Sequence, residues 1–250
     1  MYPLANQIIL GKELSVLAEM PNGSIDVTIT SPPYNLGVSS GGGIKSGANS
    51  GKWKSAALIN NYDEYDDQMS RSQYIEWQRT VLSELWRVTS DKGAIYYNHK
   101  PRVQNKVLQT PLELLPEDVI LRQIIIWARN GGINFSPTHY LPTHEWILLL
   151  AKPEFKLKSQ GASGTGDVWN IAQERDNPHP APFPLELPLR ILESLGEEIK
   201  FIFDPYMGSG TTAVAAKMTG REYFGCDVSQ SYIDQANERL SAVQLSLPTT

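Results

Sequence analysis

The feature that most constrains this chain is an alternation. Strand-length apolar runs at Gln7–Leu10, Ile25–Thr30, Ala94–Asn98, Ile120–Ala128, Glu145–Ala151, Phe201–Phe203 and Glu222–Cys226 are separated by stretches with helical spacing. Several runs are almost continuously apolar and rich in Ile and Val, as expected of strands buried on both faces of a parallel sheet. Between them, Ser72–Val88 places Ile75, Leu82, Leu85 and Trp86 on one face, with Ser70 or Ser72 as a cap. Leu185–Leu195 carries Pro188 near its first turn and stops at Gly196, while Thr211–Met218 and Ser231–Leu240 follow the last two strands. Strands alternating with helices predict an α/β fold with a doubly wound, mostly parallel sheet. The 250 residues suit a single domain spanning 1–250 with a sizeable core.

Composition excludes other classes. No apolar run approaches the roughly 18 residues of a membrane span, and the start Met1-Tyr2-Pro3-Leu4 lacks the pattern of a signal peptide. The lone Cys226 cannot form an intramolecular disulfide, which fits a reducing cytoplasm. His99, His139, His144 and His179 show no metal-binding spacing, so no metal is expected. A net charge of −5 argues against a uniformly basic nucleic-acid binder, but Lys45, Lys52 and Lys54, then Lys100, Arg102 and Lys106, form local basic clusters. Two stretches break the strand–helix alternation. The first is residues 37–61, with Gly37, Gly41, Gly42, Gly43, Gly47 and Gly51; the second is residues 153–167, with Gly161, Gly164 and Gly166, which reads as a short mobile connection.

Two motifs carry chemistry, each at the carboxyl end of an expected strand, where open α/β sheets bind ligands. Thr30-Ser31-Pro32-Pro33-Tyr34-Asn35 follows Ile25–Ile29. Two prolines stiffen the chain and remove two donors, leaving the carbonyls of Ser31 and Pro32 as acceptors. Rigid acceptors followed by an aromatic ring suit a planar group bearing an NH₂. The second motif, Asp204-Pro205-Tyr206-Met207-Gly208-Ser209-Gly210-Thr211-Thr212, runs from a strand into a helix. Its glycines allow a tight turn close to a ligand, and Thr211 replaces the Lys that a phosphate loop requires. Asp227 ends the following strand, nineteen positions after Gly208 (227 − 208), where a carboxylate can accept from ribose hydroxyls.

The two motifs and their order along the chain resemble the amino-group DNA methyltransferases that use S-adenosylmethionine (SAM). The catalytic motif precedes the cofactor motif, as in the circularly permuted β group. Supporting similarity lies in Leu10–Pro33, in His144-Glu145-Trp146-Ile147, in Asp167-Val168-Trp169, and in His179–Pro184 followed by Leu187, Arg190 and Ile191. Gly11-Lys12-Glu13 departs from the family's Gly-Asp, with Glu13 as a candidate substitute acid.

The resemblance implies a Rossmann-like SAM-dependent methyltransferase domain acting on the exocyclic amine of a flipped base in double-stranded DNA, within restriction–modification. It assigns catalysis to Ser31, Pro32, Pro33 and Tyr34, and cofactor binding to Asp204, Pro205, Met207, Gly208, Gly210, Thr211, Thr212, Asp227, Phe183 and Pro184. DNA contact falls to Asn35, Lys45, Lys52, Lys54, Lys100 and Arg102, with residues 37–61 and 153–167 as recognition segments. A homodimer is a further expectation. Ser31 leans toward cytosine N4 over adenine N6. RNA or protein-amide methylation, and a DNA-binding module without catalysis, are the alternative readings.

Overall fold

The structure, a computed structural model, describes residues 4–35, 69–129, 131, 136–173 and 183–243. Its strands are β1 (Gln7–Leu10), β2 (Ile25–Thr30), β3 (Thr89–His99), β4 (Arg102–Gln104), β5 (Val107–Gln109), β6 (Leu121–Ala128), β7 (His144–Ala151), β8 (Val168–Asn170), β9 (Phe201–Asp204) and β10 (Glu222–Asp227). The helices are α1 (Glu13–Ala18), α2 (Arg71–Val88), the single turn α3 (Gln160–Ser163), α4 (Glu186–Glu193), α5 (Thr211–Met218) and α6 (Gln230–Ala242). The expected doubly wound α/β architecture is present. The main sheet has eight strands in the order β1-β10-β9-β2-β3-β7-β6-β8, and β4 and β5 form a separate hairpin.

Central strands are buried on both faces, which is why their sequences carry no polar alternation. In β3, Ala94 and Tyr96 join one apolar layer while Ile95 and Tyr97 join the other. Helix α2 starts where sequence chemistry starts it: Ser70 accepts from the Gln73 N–H, and the Gln73 side chain accepts from the Ser70 N–H.

One topological detail governs the site. β7 is antiparallel to both β3 and β6, whereas the other main-sheet pairs are parallel. The first residues of β7 therefore lie at the same edge as the last residues of β2, β3, β6 and β9. No helix among the described residues is long and apolar enough to cross a membrane.

Residues 153–167 run from β7 to β8, whose first residue Val168 pairs with Ile126 near the carboxyl end of β6. β7 ends at Ala151 opposite Ala94, near the amino end of β3, so this connection departs from the edge away from the catalytic motif. Phe155 is buried and packs edge-on against Tyr96, and its carbonyl accepts from Arg122, whereas residues 158–161 and 163–167 are exposed.

Candidate active site

The strand order reverses between β9 and β2: chain progression from β9 leads outward to β10, and from β2 outward to β3. Such a switch point opens a crevice beyond the carboxyl strand ends. Both motifs leave their strands there, and a buried hydrogen bond joins them, Thr30 Oγ1 donating to Asp204 Oδ1 at 2.7 Å.

In the catalytic turn, Pro32, Pro33 and Asn35 are buried, while Ser31 and Tyr34 are half-buried and reach the crevice. The Pro33 carbonyl is occupied, accepting from Tyr74 Oη at 2.8 Å. Tyr74 also lies 2.9 Å from His99 Nε2. Burial pulls the His99 pKa down to about 3, so the imidazole is neutral. The Tyr34 ring packs against His99 at 4.9 Å between centroids. Its hydroxyl lies 2.8 Å from Ser31 Oγ, donates to Glu145 Oε2 at 3.0 Å, and accepts from Asn98 Nδ2 at 2.7 Å. Glu145 in turn pairs with Arg129 at 3.1 Å, both side chains being 7% exposed.

The glycine turn is built differently, because its side chains are spent inside the protein. Asp204 accepts from Thr30 and the Tyr206 N–H on one oxygen and from Thr212 Oγ1 on the other. Burial pushes the Asp204 pKa up to about 7 against those donors. Arg239 of α6 donates to the Ser209 carbonyl, Ser209 Oγ and Thr211 Oγ1. Asp227 accepts from the Gly208 N–H at 2.8 Å and the Ser229 N–H at 3.0 Å. Gly208 and Gly210 have φ of 51° and 82°, and a Cβ on Gly210 would lie 2.6 Å from that of Ala236. Gly208 is the half-buried residue here; Asp204, Pro205, Met207, Gly210, Thr211 and Thr212 are buried.

Several expectations change on contact with this geometry. Asn35, read as a DNA contact, is 3% exposed, has φ of 52°, and donates its amide to the Met69 carbonyl. It closes the turn instead. Glu13, the candidate substitute acid, is buried and accepts from Trp77 Nε1 at 2.8 Å, joining α1 to α2. Arg102 donates to the Asn35 carbonyl at 2.9 Å and so stands beside the turn. Half-buried Lys100 is near Arg129 and Arg102, and burial followed by these cations lowers its pKa. Phe183 is half-buried, 6.4 Å from Trp127 and nearly perpendicular to it, and Pro184 is buried. Lys45, Lys52, Lys54 and the whole of the Gly-rich loop 37–61 lie outside the described residues. No group of three or more His, Cys, Asp or Glu able to hold a metal lies among the described residues.

Glu145, Asn98, Arg129, His99 and Tyr74 had no assigned role in the sequence. The available signal was polarity at the strand ends: Glu145 opens one apolar run and Asn98 closes another, and such residues need partners when buried.

Comparison with known proteins agrees with this geometry. A family model described as DNA methylase, of the N6/N4 class, matches residues 25–238. The type II methyltransferase M.BglII of Bacillus subtilis is 27% identical over 94% of this chain and 69% of its own length. M.ScaI of Streptomyces caespitosus is 28% identical over 95% and 82%. Among solved structures, the PvuII cytosine-N4-specific DNA methyltransferase superposes with a TM-score of 0.72 at 16% identity, covering 97% of this chain and 88% of that one. A DNA modification methylase of Thermus thermophilus, solved with SAM, gives 0.64 at 20% identity over 94% and 93%.

Proposed function

The chain belongs to the N6/N4 DNA methylase family, and from that premise we propose that it moves a methyl group from SAM to the exocyclic amine of a base flipped out of double-stranded DNA, with cytosine N4 favoured over adenine N6. The observation that carries this reading is the hydrogen bond from Thr30 to Asp204, which holds an amine-accepting turn against a glycine turn at the switch point.

The residues at the glycine turn fit SAM. The half-buried Gly208 peptide presents backbone where a side chain would obstruct, and Asp227 stands at the adjacent strand end. A carboxylate offers about four acceptor positions, so ribose hydroxyls can join the backbone N–H groups there. Phe183 and Pro184 supply apolar cover. Asp204, Thr211 and Thr212 hold the turn's shape from inside. Bound there, SAM supplies a sulfonium-activated methyl group.

An exocyclic amine is a poor nucleophile because its lone pair is delocalised into the ring. Ser31 Oγ and the Pro32 carbonyl accept its two hydrogens and draw the nitrogen toward tetrahedral geometry, localising that pair. The Pro33 carbonyl does not compete, being held by Tyr74. Tyr34 stacks on the base. Orientation and fixed dipoles supply most of the acceleration, and no strong base is needed because the alkylated amine sheds its proton readily.

Lys100 and Arg102, beside the catalytic turn, and Lys45, Lys52 and Lys54 supply the phosphate contacts, so DNA binding weakens steeply with added salt. Pairing of two copies would add contact surface, and the type II relatives support a role in restriction–modification.

Mass spectrometry of nucleosides from DNA methylated by the protein, with long-read sequencing for the site, tests the proposal. N4-methylcytosine is the expected product. N6-methyladenine alone would overturn the base preference and leave the amine chemistry standing. 5-Methylcytosine would overturn both, because ring-carbon transfer needs a cysteine nucleophile, and Cys226 is buried with its thiol pKa pushed up. No methylated nucleoside would defeat the proposal outright.

A further inference from the structure

Hydrogen-bond bookkeeping around Tyr34 leads beyond the turn itself. Around the phenolic oxygen stand Glu145 Oε2 at 3.0 Å, Asn98 Nδ2 at 2.7 Å and Ser31 Oγ at 2.8 Å. Tyr34 owns one hydrogen. A carboxylate can only accept, so that hydrogen goes to Glu145. The Asn98 amide cannot be turned over, because its Nδ2 also donates to Glu145 Oε2 at 2.9 Å and an oxygen there would face the carboxylate. Asn98 is thus a second donor to Tyr34. The Ser31–Tyr34 bond then has one possible polarity, with Ser31 donating and Tyr34 accepting.

That polarity matters for the reaction. With its hydrogen committed to Tyr34, Ser31 Oγ can only accept: Asn98 Nδ2 lies 3.5 Å from it, and its remaining accepting capacity is open to a group in the crevice. If the phenol donated to Ser31 instead, one serine lone pair would be consumed and the serine hydrogen would be released toward the incoming amine.

We propose that Glu145, anchored by Arg129 and oriented with Asn98, is a positioning residue that fixes the direction of the Tyr34–Ser31 hydrogen bond and so keeps Ser31 an acceptor for the base amine. The proposal rests on the reading of Ser31 as an amine acceptor. Three strands contribute, Glu145 from β7, Asn98 from β3 and Arg129 just after β6, and their convergence depends on β7 running antiparallel. The structure tolerates a cost for it: Asn98 Oδ1 is buried with no hydrogen-bond partner among the described residues. An orphaned acceptor of this kind is worth keeping only if the donor side of the amide does something.

The test is a double-mutant cycle on methylation kinetics, with SAM and duplex DNA at saturating and sub-saturating levels. Glu145→Gln should lower kcat at least tenfold while KM for both substrates stays within about threefold. In a Tyr34→Phe background, which has no hydroxyl to orient, Glu145→Gln should add little. If Glu145→Gln alone does not fold, Glu145→Gln/Arg129→Gln strands no guanidinium and carries the same test. An unchanged kcat, or effects that multiply in the double variant, would overturn the proposal. Ser31→Ala separates the two levels: full activity there defeats the acceptor reading itself. Loss with Ser31→Ala but not with Glu145→Gln defeats only the role of Glu145.

Discussion

The two turns that meet at the switch point are opposite solutions to one problem. The glycine turn after β9 offers backbone to the crevice and directs its polar side chains inward, where Asp204, Thr212, Asp227 and Arg239 hold its shape. The catalytic turn after β2 offers the side chains of Ser31 and Tyr34, and its own backbone is held by others, Tyr74 on the Pro33 carbonyl and Arg102 on that of Asn35. A backbone-made site is sensitive to any added atom. A side-chain-made site is sensitive to removed atoms. Substitutions in the first should therefore damage folding and cofactor binding together, and those in the second should spare both and reduce turnover.

The sharpest way to break that distinction is Gly210→Ala. The residue sits at φ 82°, and a Cβ would lie 2.6 Å from the Ala236 Cβ and 3.0 Å from its Cα. The left-handed conformation costs about 1–2 kcal/mol for an L-residue, and displacement of packed α6 adds roughly 1–3 kcal/mol. At about 2–4 °C per kcal/mol for a domain of this size, Tm should fall by roughly 5–15 °C, and calorimetric SAM binding should weaken with it. A variant with wild-type Tm and SAM affinity would show that this turn does not depend on missing side-chain atoms.

Asp227→Ala comes next. It removes the acceptor for the Gly208 N–H and the proposed ribose contact, so SAM affinity should fall by about 1.5–3 kcal/mol, the range for hydrogen bonds to a charged group. DNA binding measured without SAM should change far less. Unchanged SAM affinity in the folded variant would remove Asp227 from the cofactor site. Tyr34→Ala should behave in the reverse manner: SAM binding holds, and turnover falls by at least the factor that loss of base stacking worth roughly 1–3 kcal/mol implies. If that variant methylates at the normal rate, Tyr34 is structural and the division between the turns fails on the catalytic side.

The same division explains what could be read from the sequence. β1, β2 and α5 occupy the spans their residue patterns predict, because continuous Ile/Val runs and a Gly-to-Thr strand–helix junction are local signals. Both turns were legible for the same reason: each is a short contiguous motif at a strand end. The support for the catalytic turn was not legible. Glu145 lies 111 residues from Tyr34, and the two meet because β7 enters the sheet reversed, which no local pattern encodes. The inward turn at Asn35 was not legible either, since its positive φ and its amide's bond to the Met69 carbonyl depend on a residue 34 positions away.

The smallest effect concerns pH and centres on the glycine turn. Asp204 is fully enclosed, and desolvation raises its pKa from near 4 to about 7 although Thr30, Thr212 and the Tyr206 N–H favour the ionised form. Between those two values the folded protein binds a proton that the unfolded chain releases. This contribution to stability is complete below pH 4, diminishes as pH rises, and is lost once pH passes the folded value. From pH 6 to pH 8 the loss should amount to roughly 1 kcal/mol. Denaturant titrations across that range should show it as a difference between the wild type and Asp204→Asn in how the midpoint changes with pH, because the buried neutral His99 makes stability rise over part of the same interval in both. Asp204→Asn should remove this contribution while retaining the fold, because the amide oxygen still accepts from Thr30 and Tyr206. The Thr212 hydroxyl can then turn its hydrogen to the Ile29 carbonyl, 3.2 Å away. A wild-type slope that persists in Asp204→Asn would assign the proton to another group and leave the glycine turn without a titrating centre.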